Sequence, residues 1–440
     1  MTLMPLLSEA DPKVSAEGSI DPLGMYAIAD ALAVRMIPGV RERQTHPRFL
    51  TSIAVSLSLC SEFPEESIAA DGISEPWQVF EWYFVEGMVR TTRDSALLRG
   101  LPGQTKARRA IDDQVPLSAK RYLKTPTVFG FHGVYRALAR DTEVERADRL
   151  GEVGHELVSA WEKEQRLEGF SGTSEGPGKA MRRRLLDAVR DGMKSGAVAR
   201  KAGWAGWQFF ADHLGIYGAG KRESRVIAQA LLNPEKGFRR EVIDCLISRE
   251  GKNLWSSEQK AKSLSERRFH EWLGPRASHE LRQLLDAIRI YEEFCRLLED
   301  AFDDCLYRLS QHQIRFQPSE LGGLTGVRRA AQRIPEIFGE VSEQLSPFGG
   351  AVRFQEVFSS LAERLSPAEW LERLLDHHCR IQYSKPPAGK APWFDRFDDG
   401  SYMIRTAYIR ETGGRHDDHY VHAYRTQSLW SFAKDLGWVK

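Results

Sequence analysis

The densest set of side chains able to ligate a metal or move a proton is His416-Asp417-Asp418-His419 with His422, and five of the twelve histidines lie between His377 and His422. Imidazoles and carboxylates in that number suit metal-assisted hydrolysis, which needs about three protein ligands on rigid elements and an open coordination position. Their setting argues otherwise. Tyr402, Ile404, Thr406 and Tyr408 alternate before Gly413-Gly414, and residues 420–424 alternate after it, so a β-hairpin is predicted with the cluster at its turn. Polar residues are expected there for solvation, and spacing ties no cysteine or distant acid to them. No metal and no cofactor is expected. The alternative is a metal-dependent nuclease using His416, Asp417, Asp418, His419 or His422, and the metal content of purified protein would distinguish the two.

Other motifs weaken on inspection. Gly215-Ile216-Tyr217-Gly218-Ala219-Gly220-Lys221-Arg222 has phosphate-loop spacing, but Arg222 stands where a hydroxyl must ligate Mg²⁺, and residues 207–214 before it read as helix rather than strand. Asp376-His377-His378 copies a phosphoesterase triplet, yet it reads as the end of an amphipathic helix, where the dipole favours histidine. Ser257-Glu258-Gln259-Lys260 has restriction-nuclease letters without the strands, and no Gly-x-Ser-x-Gly, His-Glu-x-x-His or Rossmann fingerprint occurs. The five cysteines are widely scattered, with no Cys-x-x-Cys pair, and read as small reduced core side chains. No catalytic residue is expected, nor enzymatic activity.

The basic residues carry more. Lys106, Arg108, Arg109, Lys120, Arg121 and Lys124 flank a stretch whose order of helix, turn, helix, short strand region and helix suits a winged helix-turn-helix, so phosphate contacts there would fix register on a duplex. Within it, His132, Tyr135 and Arg136 start the second helix and join the DNA-binding set. The passage Arg149-Leu150-Gly151-Glu152-Val153-Gly154 leads into the third helix, with Gly151 where a threonine N-cap would serve better. A second cationic feature is the stiff loop from Lys385 to Lys390 ahead of Trp393, which could dock a partner or a phosphate.

These residues need a scaffold, and the patterning predicts a mainly α protein. Asp21-Pro22 reads as a helix start ended by Pro38-Gly39, residues 48–60 form an apolar element of helix or strand type, and residues 74–89 a helix rich in aromatics. A short helix is expected at 117–123. Gly169 to Gly178 reads as a flexible linker. Residues 278–309 form one long helix, a strut about 45 Å long, and Ser366-Pro367-Ala368-Glu369 is a capping box. The chain divides into an N-terminal helical domain (1–96), a winged-helix-like module (97–168), a helical domain around the long helix (179–365) and a small C-terminal α+β segment (366–440) ending in a helix over 428–436.

With 440 residues, 42% hydrophobic, and Lys+Arg 62 against Asp+Glu 61, the chain supports several cores and advertises no global charge. No apolar run is long enough to span a membrane, the polar leader over residues 1–20 lacks signal-peptide order, and the expected location is the cytoplasm with no membrane partner. Residues 98–109, residues 129–136, Lys385-Pro386-Pro387-Ala388-Gly389-Lys390-Ala391-Pro392-Trp393-Phe394 and Tyr420-Val421-His422-Ala423-Tyr424-Arg425 together resemble uncharacterised bacterial proteins of phage-defence gene clusters. The resemblance implies an antiviral context and partners from the same gene cluster, and carries over no catalytic residue. The expectation is a non-catalytic subunit of an anti-phage defence system that binds double-stranded DNA or acts as a scaffold. A winged-helix transcription regulator is the other non-enzymatic alternative.

Overall fold

The computed structural model describes residues 21–172, 175–233, 237–260, 266–311, 314–386 and 389–439. The protein is mainly α: among the described residues there are nineteen α-helices and two two-stranded antiparallel ladders. None of these helices is long and apolar enough to cross a membrane. The polar leader, two residues of the glycine-rich segment (Thr173, Ser174) and Pro387-Ala388 of the cationic loop lie outside the described residues. The described residues form two compact units, one within 21–33 and 266–423, the other within 34–260 and 424–439.

The first of these units is organised by the helix His279–Ser310, 32 residues long. Ser278 caps it, accepting a hydrogen bond from the Leu281 N–H. Leu284, Ile288, Tyr291, Leu298 and Phe302 on one face are buried, and the helix as a whole packs chiefly against the helix Thr325–Leu345. Phe294 sits in an aromatic cluster with Phe354 and Phe358, ring centroids 4.9 and 5.1 Å away. The helix Pro367–Tyr383 starts at the capping box, with Ser366 and Glu369 bonding reciprocally. A ladder pairs Phe394–Arg396 with Tyr402–Ile404. This corrects the hairpin expected across Gly413-Gly414: the partner of Tyr402–Ile404 lies upstream of it, and residues 409–425 contain neither helix nor strand.

The other unit is built on two buried helices, Phe49–Cys60 and Pro76–Thr91. Every residue of the first from Phe49 to Leu59 is buried, so its apolar residues follow no single face and local alternation was no guide to a strand. The helices Phe131–Asp141, Glu152–Glu164, Pro177–Ser195 and Trp207–Leu214 pack around this pair. The last helix, Thr426–Asp435, returns to residues 40–46: Ser428 Oγ donates to Arg41 O, and Asp435 Oδ2 lies 2.7 Å from His46 Nδ1. The described residues of the glycine-rich segment, 169–172 and 175–178, lie inside this unit. Phe170 anchors it, fully buried between Trp161 and Phe209. The short helix expected at 117–123 is absent, because Leu117 instead accepts a backbone bond from Val198 and Ser118 bridges Ala197.

Candidate functional site

The basic residues read from the sequence separate into two groups. Lys106, Arg108 and Arg109 lie on the helix Gln104–Asp112 and are exposed, as are Lys120, Arg121 and Lys124 on the irregular segment that follows it. Tyr122 holds the two segments together. Its ring is buried so close to Gly103 that a Cβ there would lie 2.3 Å from its hydroxyl oxygen, and that hydroxyl donates to Glu81 Oε1 at 2.7 Å. Gly103 also takes a φ of +78°, which favours glycine. Arg43, exposed and missed in the sequence, holds its guanidinium 4.6 Å from the Phe129 ring centroid. The one ion pair reaching the six predicted residues among the described residues is Arg109 to Asp113, at 3.7 Å between two exposed groups.

His132, Tyr135 and Arg136 do not belong to that surface. The helix that carries them, Phe131–Asp141, exposes only Arg140 fully. Tyr135 is completely buried beside Phe49, and its hydroxyl accepts the backbone N–H of Thr45 and His46. His132 lies inside, 3.4 Å from Glu145 and edge-on to Trp77. Arg136 joins Arg140 in clamping Glu145 and Asp148 of the two-residue hairpin that follows. Burial of Glu145 opposes its charge, but His132 and Arg136 outweigh it and hold its pKa down at about 2. A helix packed on most sides and a hairpin this short, pinned back onto it, leave no groove-reading face at these three positions.

The phosphate-loop lookalike is occupied by the protein itself. The helix Lys221–Leu231 follows the helix Trp207–Leu214, and the Glu164 carboxylate sits on its N-terminus, accepting the N–H of Arg222 (2.7 Å) and Glu223 (2.9 Å). A carboxylate thus takes the place where such a turn would hold a phosphate. Arg48 locks the same turn from below, bonding Glu223 at 2.8 Å and the carbonyls of His213 and Gly215.

His377 and His378 are satisfied core residues within the helix Pro367–Tyr383, not at its end as the sequence suggested. His377 Nε2 lies 2.8 Å from Leu23 O. His378 bridges Pro22 O (3.0 Å) and the Trp393 N–H (3.1 Å). Burial drives their pKa values down to about 4 and about 3, so both are neutral. In the cationic loop, Lys385 is half-buried and donates to Asp21 O at 2.7 Å. Trp393 is buried, stacked on Tyr408, and Lys390 is partly exposed.

The histidine cluster corrects the sequence reading most. It lies on an extended strap, and distant acids do reach it. One four-residue row of the long helix, Glu292, Arg296, Asp300 and Asp304, binds the strap in antiparallel order. Asp304 Oδ1 accepts the Gly414 N–H (2.9 Å), Asp300 Oδ1 the His416 N–H (3.1 Å), Arg296 donates to His419 O (3.3 Å), and Glu292 Oε2 accepts the N–H of Val421 (2.5 Å) and His422 (3.2 Å). The imidazoles follow the backbone. His416 Nε2 is 3.0 Å from Asp304, His419 Nδ1 3.1 Å from Asp417, and His422 Nδ1 2.8 Å from Glu292 Oε1. Burial opposes charge on His422, but Glu292 prevails and raises its pKa.

Glu292, Cys295 and His422 bring an oxygen, a sulfur and a nitrogen within 4.8 Å of one another, the donor set of a small metal site. The donors are already engaged, however. Both Glu292 oxygens accept N–H groups, and the carboxylate favours a protonated imidazole, whereas a ligand histidine must be neutral. Cys295 is fully buried, and burial raises its thiol well above the ordinary range, the reverse of an activated nucleophile. The trio fits an ion pair that fastens the strap better than it fits a metal or a catalytic thiol. No known protein family, curated protein or solved structure matches this chain.

Proposed function

We propose that this chain is a non-catalytic DNA-binding or scaffolding subunit of a bacterial anti-phage defence system, and that it meets double-stranded DNA through the surface formed by Lys106, Arg108, Arg109, Lys120, Arg121 and Lys124. The observation that carries the reading is that these six side chains are exposed on two segments locked together by Tyr122, with Arg109 alone paired, and weakly. Free cations fixed on a rigid support release counterions when they meet phosphates, which is the main source of sequence-independent affinity. His132, Tyr135 and Arg136 are left out of this surface, so the protein meets the backbone of the duplex rather than its base edges.

The test is duplex binding by fluorescence anisotropy across a salt series. Log K should fall linearly with log salt, and Arg108→Ala with Arg109→Ala should reduce the slope by about 0.9 for each phosphate that is no longer neutralised. Binding that ignores salt, or no binding at low salt, overturns the proposal. A defence role is tested by plaque formation with the same variant in a host carrying the full gene cluster, where unchanged protection would refute it.

A further inference from the structure

Beside the strap, a cavity of about 170 Å³ receives arginines from three helices: Arg267 from Glu266–Leu273, Arg289 and Arg296 from His279–Ser310, and Arg329 from Thr325–Leu345. Guanidinium groups stay protonated in proteins, so four of them around one small cavity repel unless anions intervene.

Four carboxylates line the same cavity, and each already has a partner other than Arg289 and Arg329. Glu292 holds His422 and the strap backbone, and Glu293 binds Arg333 at 3.0 Å. Asp417 is bound to Arg415 at 3.0 Å and to His419, reaching Arg296 only at 3.8 Å. Asp418 reaches Arg267 at 3.6 Å. Arg296 and Arg267 have their closest acids in Glu299 and Glu271, at 2.7 and 2.8 Å. Arg289 and Arg329 are exposed and make no ion pair among the described residues. The cavity therefore presents two free planar forks backed by two more arginines in its wall. It is smaller than the ~300–1,000 Å³ typical of organic ligands, and paired forks match the oxygens of a tetrahedral anion.

We infer that this cavity is a binding site for a phosphoryl group, held by Arg289 and Arg329, and formed by other residues than the proposed duplex surface. The anion could be free phosphate or the phosphate of a nucleotide, and both present the same oxygens to the arginines.

The experiment is isothermal titration of the full chain at constant ionic strength with inorganic phosphate and, separately, adenosine monophosphate. Saturable binding of either is expected, weakened about tenfold or more by Arg289→Ala with Arg329→Ala. Arg328→Ala, an exposed neighbour outside the cavity, should keep it, as should Arg108→Ala with Arg109→Ala, so failure here is separable from failure of the duplex reading. Tighter binding of the nucleotide identifies an esterified phosphoryl group, and tighter binding of phosphate identifies the free anion. Thermal melting without ligand checks that the double variant is folded. The inference is overturned if neither probe binds, or if the folded double variant binds as the parent does.

Discussion

His422 Nδ1 lies 2.8 Å from Glu292 Oε1 across 130 residues of sequence, and the same carboxylate accepts the backbone N–H of both Val421 and His422. One buried acid thus fastens a segment that has no regular structure of its own. Glu292→Ala leaves those three N–H donors without their acceptor, and removing one partner of a buried pair costs about 3–5 kcal/mol. Expected are a lower melting temperature and new protease cuts within residues 409–423. Unchanged cleavage there would show that the strap is held by other means.

The same pair sets a pH dependence. The folded-state pKa of His422 is raised, so its contribution to stability is complete below the unfolded value of about 6.5 and is lost as pH rises through the folded value. Chemical denaturation of the parent minus that of His422→Gln should therefore give a difference that shrinks as pH rises above about 6.5. A difference that grows over this range would contradict the assignment.

Glu81 behaves in the same sense in another window. Burial raises its pKa to about 7 despite the hydrogen bonds from Tyr122 and the His132 N–H. Below about 4.5 the carboxyl is neutral whether folded or not. Between there and about 7 only the folded state still holds the proton, at a cost that grows with pH to a stability loss of at most about 3 kcal/mol. Glu81→Gln should flatten the stability profile across that window, measured by denaturant melts at several pH values. Loss of the Tyr122 hydroxyl that bonds Glu81 should also loosen the support of the cationic surface, so Tyr122→Phe is expected to weaken duplex binding while leaving its salt slope unchanged.

In the cationic loop the two lysines should part. Lys385 donates to Asp21 O and Gln382 Oε1 from a half-buried position, so Lys385→Ala should cost about 1 kcal/mol, whereas Lys390→Ala should leave the melting temperature unchanged. Equal melting temperatures for the two variants would remove Lys385 from the support of this loop.

What could be read from the sequence follows physical range. The helices beginning at Ser278 and Ser366 were legible because their caps lie within three residues and their buried positions keep a 3.6-residue period. The helix Phe49–Cys60 was ambiguous because burial on every side erases that period. The ladder was misplaced because Tyr402–Ile404 alternates locally, while its pairing with Phe394–Arg396 leaves no mark in the segment itself. The strap was illegible for a related reason: its partners lie 110 to 130 residues upstream. His132 and Tyr135 were assigned outward because a helix start after a turn can enter a groove, but the aromatic core from Phe49 to Phe131 claims that face. The exposed lysines and arginines needed only composition to be found, and their attachment through Tyr122 needed the fold.

The interleaving of the two units matters during synthesis. Residues 34–260 emerge long before the helix Thr426–Asp435 that completes their unit, and residues 21–33 wait for the whole stretch from 266 to 423. Neither unit is complete from its first segment alone, although domains ordinarily fold in order of emergence. His46 has no Asp435, and Arg41 no Ser428, until nearly 390 further residues have been made. A nascent chain stopped anywhere between 260 and 420 therefore lacks part of each unit, so truncated products are expected to expose apolar surface that the full chain buries.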